Sequence, residues 1–356
     1  MRNPFKFGTI VEGEYFTDRV NELAAICTTM DSENHLILIS PRRFGKSSLV
    51  HKAVKQVGRP YIFLNLQKVV SVTDFAAAIL KEVFKLHPWE KLKHQMQHFR
   101  VVPTISANPM TQGVDVSFQP MMDENVALED ALSLLESVST EKNKLIVIFD
   151  EFQEIIGLAK GIDKRLRAIL QEQKCINYIF LGSQESMMTE IFERKKSPFY
   201  HFGKLMVLPK IPYNDFHTYI DERLQPVAGE HSSTIADSIL STTQCHPYYT
   251  QQLASQVWEI LAYHKDVSNA IETAIEQLVM THDLDYERLW LTFNRTDKRV
   301  FQSLCRKESP LENRQLPTST LYSSVKKLMH QGYLIRSSVY EIEDPFFMRW
   351  IQTRQL

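Results

Sequence analysis

An uninterrupted apolar run, Leu145 to Phe149, limits the fold of this chain more than any other segment. Successive residues of a strand point to opposite faces of a sheet, so a run without polar alternation predicts a strand that is covered on both faces. The run ends abruptly in Asp150 and Glu151. We therefore predict a buried central strand that carries two acids at its carboxyl end.

Short apolar runs and helix-like stretches alternate on both sides of this strand. The other predicted strands are His35 to Ile39, Tyr61 to Leu66, Asn177 to Leu181 and Leu205 to Leu208. Stretches with helical spacing lie between them. This alternation predicts an α/β fold with a three-layer parallel sheet.

The length of 356 residues exceeds the usual span of one hydrophobic core, so several domains are expected. We predict an α/β domain over residues 1–208, with a β-hairpin insertion near residues 100–120. A helical lid is predicted over residues 209–275 and a winged-helix domain over residues 276–356. The winged helix rests on the order helix, turn, helix, β-hairpin in the final part of the chain.

Composition excludes several classes of function. The 41 basic and 42 acidic residues nearly cancel, which argues against coating nucleic acid or membrane through bulk charge. No secretion signal and no stretch of about 18 apolar residues is present, so we expect a cytoplasmic protein without a membrane partner. The 4 cysteines and 12 histidines lack the spacing of metal or redox motifs, and no serine-hydrolase elbow occurs.

Residues 40–47 read as a phosphate-binding loop between a strand and a helix. In such a loop backbone N–H groups wrap the phosphates, the lysine reaches phosphate and the hydroxyl reaches Mg²⁺. The helix N-terminus that follows also favours an anion. Ser40 stands where the pattern has its first glycine. The residues expected to contact nucleotide are Pro41, Arg42, Arg43, Phe44, Gly45, Lys46, Ser47 and Ser48.

The acids after the central strand complete the predicted site. We assign Asp150, with Ser47, to Mg²⁺ and Glu151 to the general base that activates water. The alternative is that Asp150 caps the following helix and Glu151 is solvated. Since the loop and the acids match two elements of one known arrangement, we predict a site for ATP and Mg²⁺.

Further polar residues are candidates for this site. Ser183 and Gln184 follow the next strand, where Ser183 could sense the terminal phosphate; a plain turn is the alternative. Candidates for a finger residue are the basic side chains Arg194, Lys195, Lys196 and Lys204. For each of these, a solvated basic face is the alternative.

Several motifs together resemble a known family. They are Phe16-Thr17-Asp18-Arg19, Pro41 to Leu49, Phe149 to Gln153, Gly182-Ser183, His246-Pro247-Tyr248-Tyr249 and Asp344 to Trp350. The chain is similar to the archaeal-type ATPases found widely in archaea and Bacteroides-like bacteria, a branch of the AAA-like and STAND-like P-loop NTPases. The resemblance spans nearly the whole chain.

This resemblance implies an ATPase and adds residues to the site. The segment with Phe16 and Arg19 is expected to cover the adenine, and His246 with Pro247 to sit in a helical lid close to the nucleotide. The family often carries Tyr-Gly-Arg where this chain has Phe202-Gly203-Lys204. That difference disfavours an arginine finger at Lys204.

Three hypotheses for the function remain. The first is an ATPase coupled to DNA, because residues 296–336 carry a net charge of +5 and place Lys326, Lys327 and His330 on the predicted recognition helix. The second is a slow nucleotide-dependent protein-interaction switch, whose winged helix packs on the ATPase core and does not bind DNA. The third, prompted only by Ser40, is an inactive nucleotide-binding protein. The sequence leaves the oligomeric state open.

Overall fold

A computed structural model of the protein describes residues 2–87, 89–108, 113–119, 123–264, 269–312, 316–337 and 339–354. The chain divides into two compact units. One contains Val20–Ser40 and Leu49–Leu208, and the other contains Met1–Arg19, Pro41–Ser48 and Pro209–Leu356. The predicted division into three domains stays a prediction. Residues 109–112 of the predicted hairpin and Arg314 of the predicted basic surface lie outside the described residues.

A parallel sheet forms the centre of the first unit. The strands of this unit are β1 (Leu36–Ile39), β2 (Tyr61–Asn65), β3 (Thr104–Asn108), β4 (Gly113–Ser117), β5 (Leu145–Asp150), β6 (Ile176–Gly182) and β7 (Lys204–Val207). Five of them pair in parallel in the order β2-β5-β6-β1-β7. Every residue of β1, β5 and β6 is buried, as expected for strands that are covered on both faces of the sheet. The predicted α/β parallel sheet is confirmed.

Helices alternate with the strands along this part of the chain. They are α1 (Val20–Asp31), α2 (Lys46–Val57), α3 (Val72–Leu86), α4 (Trp89–Met96), α5 (Glu124–Val138), α6 (Ile162–Leu170) and α7 (Glu185–Phe192). The predicted hairpin is present as the antiparallel pair β3 and β4. Its first strand begins after Pro103, whose missing N–H cannot join the ladder. Sequence patterns did not indicate α4 or α7, which are only 8 residues long each.

Aromatic packing fixes the end of β5. The ring of Phe149 lies 5.7 Å from the ring of Tyr178 and 5.9 Å from that of Phe180, both on β6. On the other side of the two acids, the ring of Phe152 lies 4.6 Å from that of Phe180. Phe149 and Phe152 are fully buried. The acids at positions 150 and 151 are therefore held between two anchored aromatic residues.

His35, just before β1, is a half-buried histidine whose pKa differs between the folded and the unfolded chain. Its Nδ1 accepts a hydrogen bond from the Tyr178 N–H at 3.2 Å, and its ring lies 4.6 Å from that of Phe202. Burial, and secondarily the positive charge of Arg167, lowers the pKa of His35 to about 4. The unfolded chain binds this proton near pH 6.5, so acid favours unfolding between these two values.

We expect the free energy of unfolding to fall by about 2 kcal/mol when the pH falls from about 7 to about 5, because His35 takes up a proton in the unfolded chain. The stabilisation is complete above the unfolded pKa and is lost as the pH falls towards the folded pKa. Urea unfolding of wild type and the non-titrating His35→Asn variant at both pH values measures this difference. An equal loss in the two proteins would contradict the assignment.

The second unit is mainly helical. Its elements are α8 (Tyr213–Ala228), α9 (Ser232–Thr243), α10 (Pro247–His264), α11 (Ala270–Thr281), α12 (Asp283–Thr292), α13 (Arg295–Cys305), α14 (Thr318–His330), β8 (Leu334–Arg336), β9 (Tyr340–Ile342) and α15 (Pro345–Thr353). The predicted order helix, helix, hairpin is present as α13, α14 and the antiparallel pair β8 and β9. No described helix is long and apolar enough to span a membrane.

Helix α15 begins at a capping residue, Asp344, followed by a proline. Asp344 precedes it, and its Oδ1 accepts the N–H groups of Phe346 and Phe347 at 2.8 and 3.1 Å. Pro345 occupies the first turn, where its missing N–H is not needed. An aspartate followed by proline thus begins the helix, whose Trp350 is 2% exposed.

Candidate nucleotide site

The predicted phosphate loop connects β1 to α2, which begins at Lys46. Its backbone is left-handed at Arg43 (φ 64°) and Gly45 (φ 86°). Glycine adopts this conformation freely, whereas at Arg43 it stores strain of the kind found at functional sites. Ser40 does not have a positive φ. Serine in place of the usual glycine therefore causes no left-handed strain there.

Lys46 and its neighbours lie in the first turn of α2. Lys46 is 6% exposed, and its Nζ donates to the carbonyl oxygen of Pro41 at 3.1 Å, so the ammonium group curls over the loop. The Oγ of Ser48 accepts the Val11 N–H at 3.0 Å. A cationic side chain over N–H groups at a helix start suits a phosphate chain.

The segment predicted to cover the adenine contacts the same loop. Asp18 (φ 44°) and Arg19 (φ 70°) are both left-handed, and Arg19 is 3% exposed. Its guanidinium donates to the carbonyl oxygen of Phe44 at 3.4 Å. Phe16, which is half-buried, precedes this turn in the same unit. The buried guanidinium thus ties this segment to the loop.

Residues around the start of α10 also contact the loop. His246 is 2% exposed, and its ring lies 4.9 Å from that of Phe44. The guanidinium of Arg43 donates to the hydroxyl of Tyr249 at 3.0 Å and lies 4.6 Å from the ring centre of Tyr248. Pro247 begins α10. The structure therefore brings His246 to the phosphate loop, and Pro247 follows it in sequence.

The acids after β5 belong to the other unit. Asp150, 7% exposed, ends β5 beside Asn65 of β2. Glu151 is left-handed (φ 55°), and its Oε2 accepts the Ser183 hydroxyl at 2.6 Å and the Ser183 N–H at 3.2 Å. Glu151 is therefore engaged by protein donors rather than solvated. Ser183 is brought to the predicted base.

Gln153 is a third donor to Glu151 that sequence reasoning did not assign. Its Nε2 lies 2.5 Å from Glu151 Oε2, its side chain is fully buried, and its Oε1 has no partner among the described residues. Its position two residues after Glu151, in the motif from Phe149 to Gln153, was the available signal. Three donors occupy Oε2, which leaves Oε1 of Glu151 to receive a proton.

We expect Gln153→Leu to lower kcat about 10-fold while leaving ATP affinity unchanged, because a general base that is displaced slightly loses much of its effect. Kinetics of ATP hydrolysis and calorimetric binding of ATP measure the two quantities. Gln171→Leu is the matched control, since Gln171 is exposed just after α6 and accepts a hydrogen bond from Arg167. Equal kcat values for Gln153→Leu and this control would refute the positioning role.

The remaining basic candidates lie on the surface. Arg42, Lys195, Lys196 and Lys204 are exposed. Arg194, which follows α7, is exposed as well and pairs with Glu190 of α7 at 2.5 Å. The structure therefore gives these residues the environment of a solvated basic face.

Solved structures share this architecture over nearly the full length. The Walker-type ATPase paby2304 of Pyrococcus abyssi is 15% identical, with a TM-score of 0.68 over 98% of this chain and 99% of that one. The Aeropyrum pernix ORC2 protein, in ADPNP–ADP complexes, is 13% identical, with a TM-score of 0.58 over 99% of each chain. The Aeropyrum pernix ORC1 protein in complex with DNA is 11% identical, with a TM-score of 0.52 over 96% and 95%. At these identities the likeness shows the fold.

The sequence matches one protein family directly. A family described as an ATPase domain predominantly from Archaea matches residues 16–208, which is more than half of the chain. A search of curated proteins finds no match. The protein belongs to this family of archaeal ATPase domains and is an ATP-binding ATPase.

Proposed function

We propose that the chain hydrolyses Mg²⁺-bound ATP and couples its nucleotide state to a partner through its C-terminal region. Lys46 places its positive charge on the phosphates, and Ser47 and Asp150 hold Mg²⁺. Hydroxyl and carboxylate oxygens suit this hard cation. Bound Mg²⁺ neutralises charge on the phosphates.

Glu151 accepts the proton of the attacking water in this proposal. Its Oε2 already receives hydrogen bonds from Ser183 and Gln153. Oε1 is therefore the oxygen that takes the proton, and the oxygen of the water bonds to the terminal phosphorus while ADP leaves. Ser183 and Gln153 hold the carboxylate in one orientation for this transfer.

The coupling rests on one observation, the hydrogen bond from Arg43 to Tyr249 at 3.0 Å. Arg43 belongs to the loop that wraps the phosphates, and the Tyr249 hydroxyl donates in turn to Glu343 Oε2 at 2.7 Å. Glu343 lies between β9 and α15. A change at the phosphates therefore has a short path of contacts to the C-terminal hairpin and helix, which supports a nucleotide-dependent switch.

DNA is the second candidate partner. Lys326 and His330 are exposed on α14, and the fold resembles that of the DNA-bound ORC1 protein. Lys327, however, pairs with Asp297, whose side chain is 1% exposed and also accepts from the Ser324 hydroxyl at 2.5 Å. This pair offsets the positive charge of one of the side chains that were predicted to contact DNA phosphates. The geometry therefore favours the protein-interaction switch.

ATP hydrolysis with and without duplex DNA separates the two candidates. We expect slow turnover that DNA does not change at about 50 mM or at about 200 mM salt. DNA coupling would instead give stimulation that falls steeply between these salt concentrations. That stimulation would be lost in the double variant Lys326→Ala, His330→Ala and kept in Lys142→Ala, which removes an exposed lysine of the other unit.

A further inference from the structure

We propose that Glu343 competes with nucleotide phosphate for the guanidinium of Arg43, so that phosphate binding releases the C-terminal segment from β9 to α15. The inference rests on the proposed function, because it needs nucleotide at the phosphate loop. It identifies Glu343 as the group that competes with phosphate, and it predicts that nucleotide binding weakens the contacts of the segment from β9 to α15.

The hydrogen bonds from Arg43 to Tyr249 and from Tyr249 to Glu343 can run in only one direction. Tyr249 has one hydroxyl proton, which it donates to Glu343, and its oxygen accepts from Arg43. Tyr249 is 2% exposed, and burial, together with the nearby Asp344 and Glu343, raises its pKa, so the proton stays on the tyrosine. The tyrosine therefore relays the positive charge of Arg43 to the carboxylate of Glu343.

Glu343 needs this charge because it lies in an acidic, poorly solvated segment. Its side chain is 14% exposed, and the adjacent Asp344 is buried, with a pKa raised by burial. The nearest imidazole nitrogen, Nε2 of His246, lies 3.5 Å from Glu343 Oε1 without forming a hydrogen bond. Lys210 pairs with Glu341 instead. A buried carboxylate that loses its countercharge destabilises the structure around it.

Arg43 is also within reach of an incoming anion. It lies in the phosphate loop, keeps part of its surface exposed, and has a left-handed backbone (φ 64°). Guanidinium groups bind phosphate through paired hydrogen bonds that are stronger than a bond to a neutral hydroxyl. Phosphate and the Tyr249–Glu343 pair therefore draw on the same guanidinium.

Coupling between two binding events is reciprocal, so the competition predicts the direction in which a substitution changes the affinity for phosphate. If phosphate binding weakens the hold of Arg43 on Glu343, then removing Glu343 must strengthen phosphate binding by the same factor. The segment that loses its contact is β9 with α15, since Glu343 separates them and the Tyr249 ring also packs on Phe346 at 5.8 Å. Nucleotide should thus loosen residues 340–353.

Binding of ATP to the full chain, measured by calorimetry, tests this competition. We expect Glu343→Gln and Tyr249→Phe each to bind ATP about 5-fold more tightly than wild type. The matched control is Glu341→Gln on β9, which removes the partner of Lys210 and should leave the affinity unchanged. Hydrogen exchange should show that ATP speeds exchange of residues 340–353 in wild type and has no such effect in Glu343→Gln.

Results that contradict the competition differ from results that contradict the proposed function. Wild type that binds ATP, with Glu343→Gln and Tyr249→Phe of equal or weaker affinity, would overturn the competition and leave the nucleotide site standing. Unchanged exchange of residues 340–353 in wild type with ATP would overturn it too. Wild type that binds no ATP would overturn the proposed function itself.

Discussion

Glu151→Gln is expected to bind ATP as tightly as wild type and to lose a factor of about 10² to 10⁴ in kcat. Glutamine keeps the shape of the side chain and an oxygen that accepts from Ser183, but it cannot take a proton from water. Rapid-quench measurement of ADP formation, together with calorimetric binding of ATP, gives the two values.

Glu154→Gln provides the control for this variant, since Glu154 lies three residues further along and forms no side-chain hydrogen bond to Ser183 or Gln153. It should turn over at the rate of wild type. If Glu151→Gln also hydrolysed ATP at the wild-type rate, Glu151 would not be the base.

Lys46→Ala is expected to weaken ATP binding by about 100-fold or more, since removing one member of a buried charge pair costs about 3 kcal/mol. The lysine is 6% exposed, and its ammonium group lies over the loop, within hydrogen-bond distance of the Pro41 carbonyl oxygen. Calorimetric titration with ATP measures the loss of affinity.

Lys55→Ala makes the same substitution on the same helix, two turns beyond the loop, and should bind ATP normally. Wild-type affinity in Lys46→Ala would remove the lysine from the site. Reduced affinity in both variants would indicate a general effect on α2 rather than loss of a phosphate contact.

The central sheet could be predicted because its signal is local. β1 is apolar throughout, β5 is apolar up to Asp150, and β6 is apolar from Tyr178 to Leu181; every residue of the three strands is buried. Gly45 and Lys46 mark a loop that leaves one of these strands, and two acids end another. Chain order and spacing were sufficient to find these elements.

The contacts around the loop could not be predicted, because they join residues far apart in sequence. Arg43 and Tyr249 are 206 positions apart, and Tyr249 and Glu343 are 94 apart. Periodicity describes one element at a time, so it does not show which elements meet. Gln153 lies only two residues from Glu151, but the left-handed backbone at Glu151 between the strand and the next helical turn is not visible in the sequence pattern.

We propose that one nucleotide contacts both the phosphate loop and the acids after β5. Hydrogen exchange of Glu151→Gln, with ATP and Mg²⁺ present, tests this most directly, since the substitution is expected to keep ATP intact. We predict slower exchange both in residues 41–48 and in residues 150–154. Protection confined to residues 41–48 would contradict the claim.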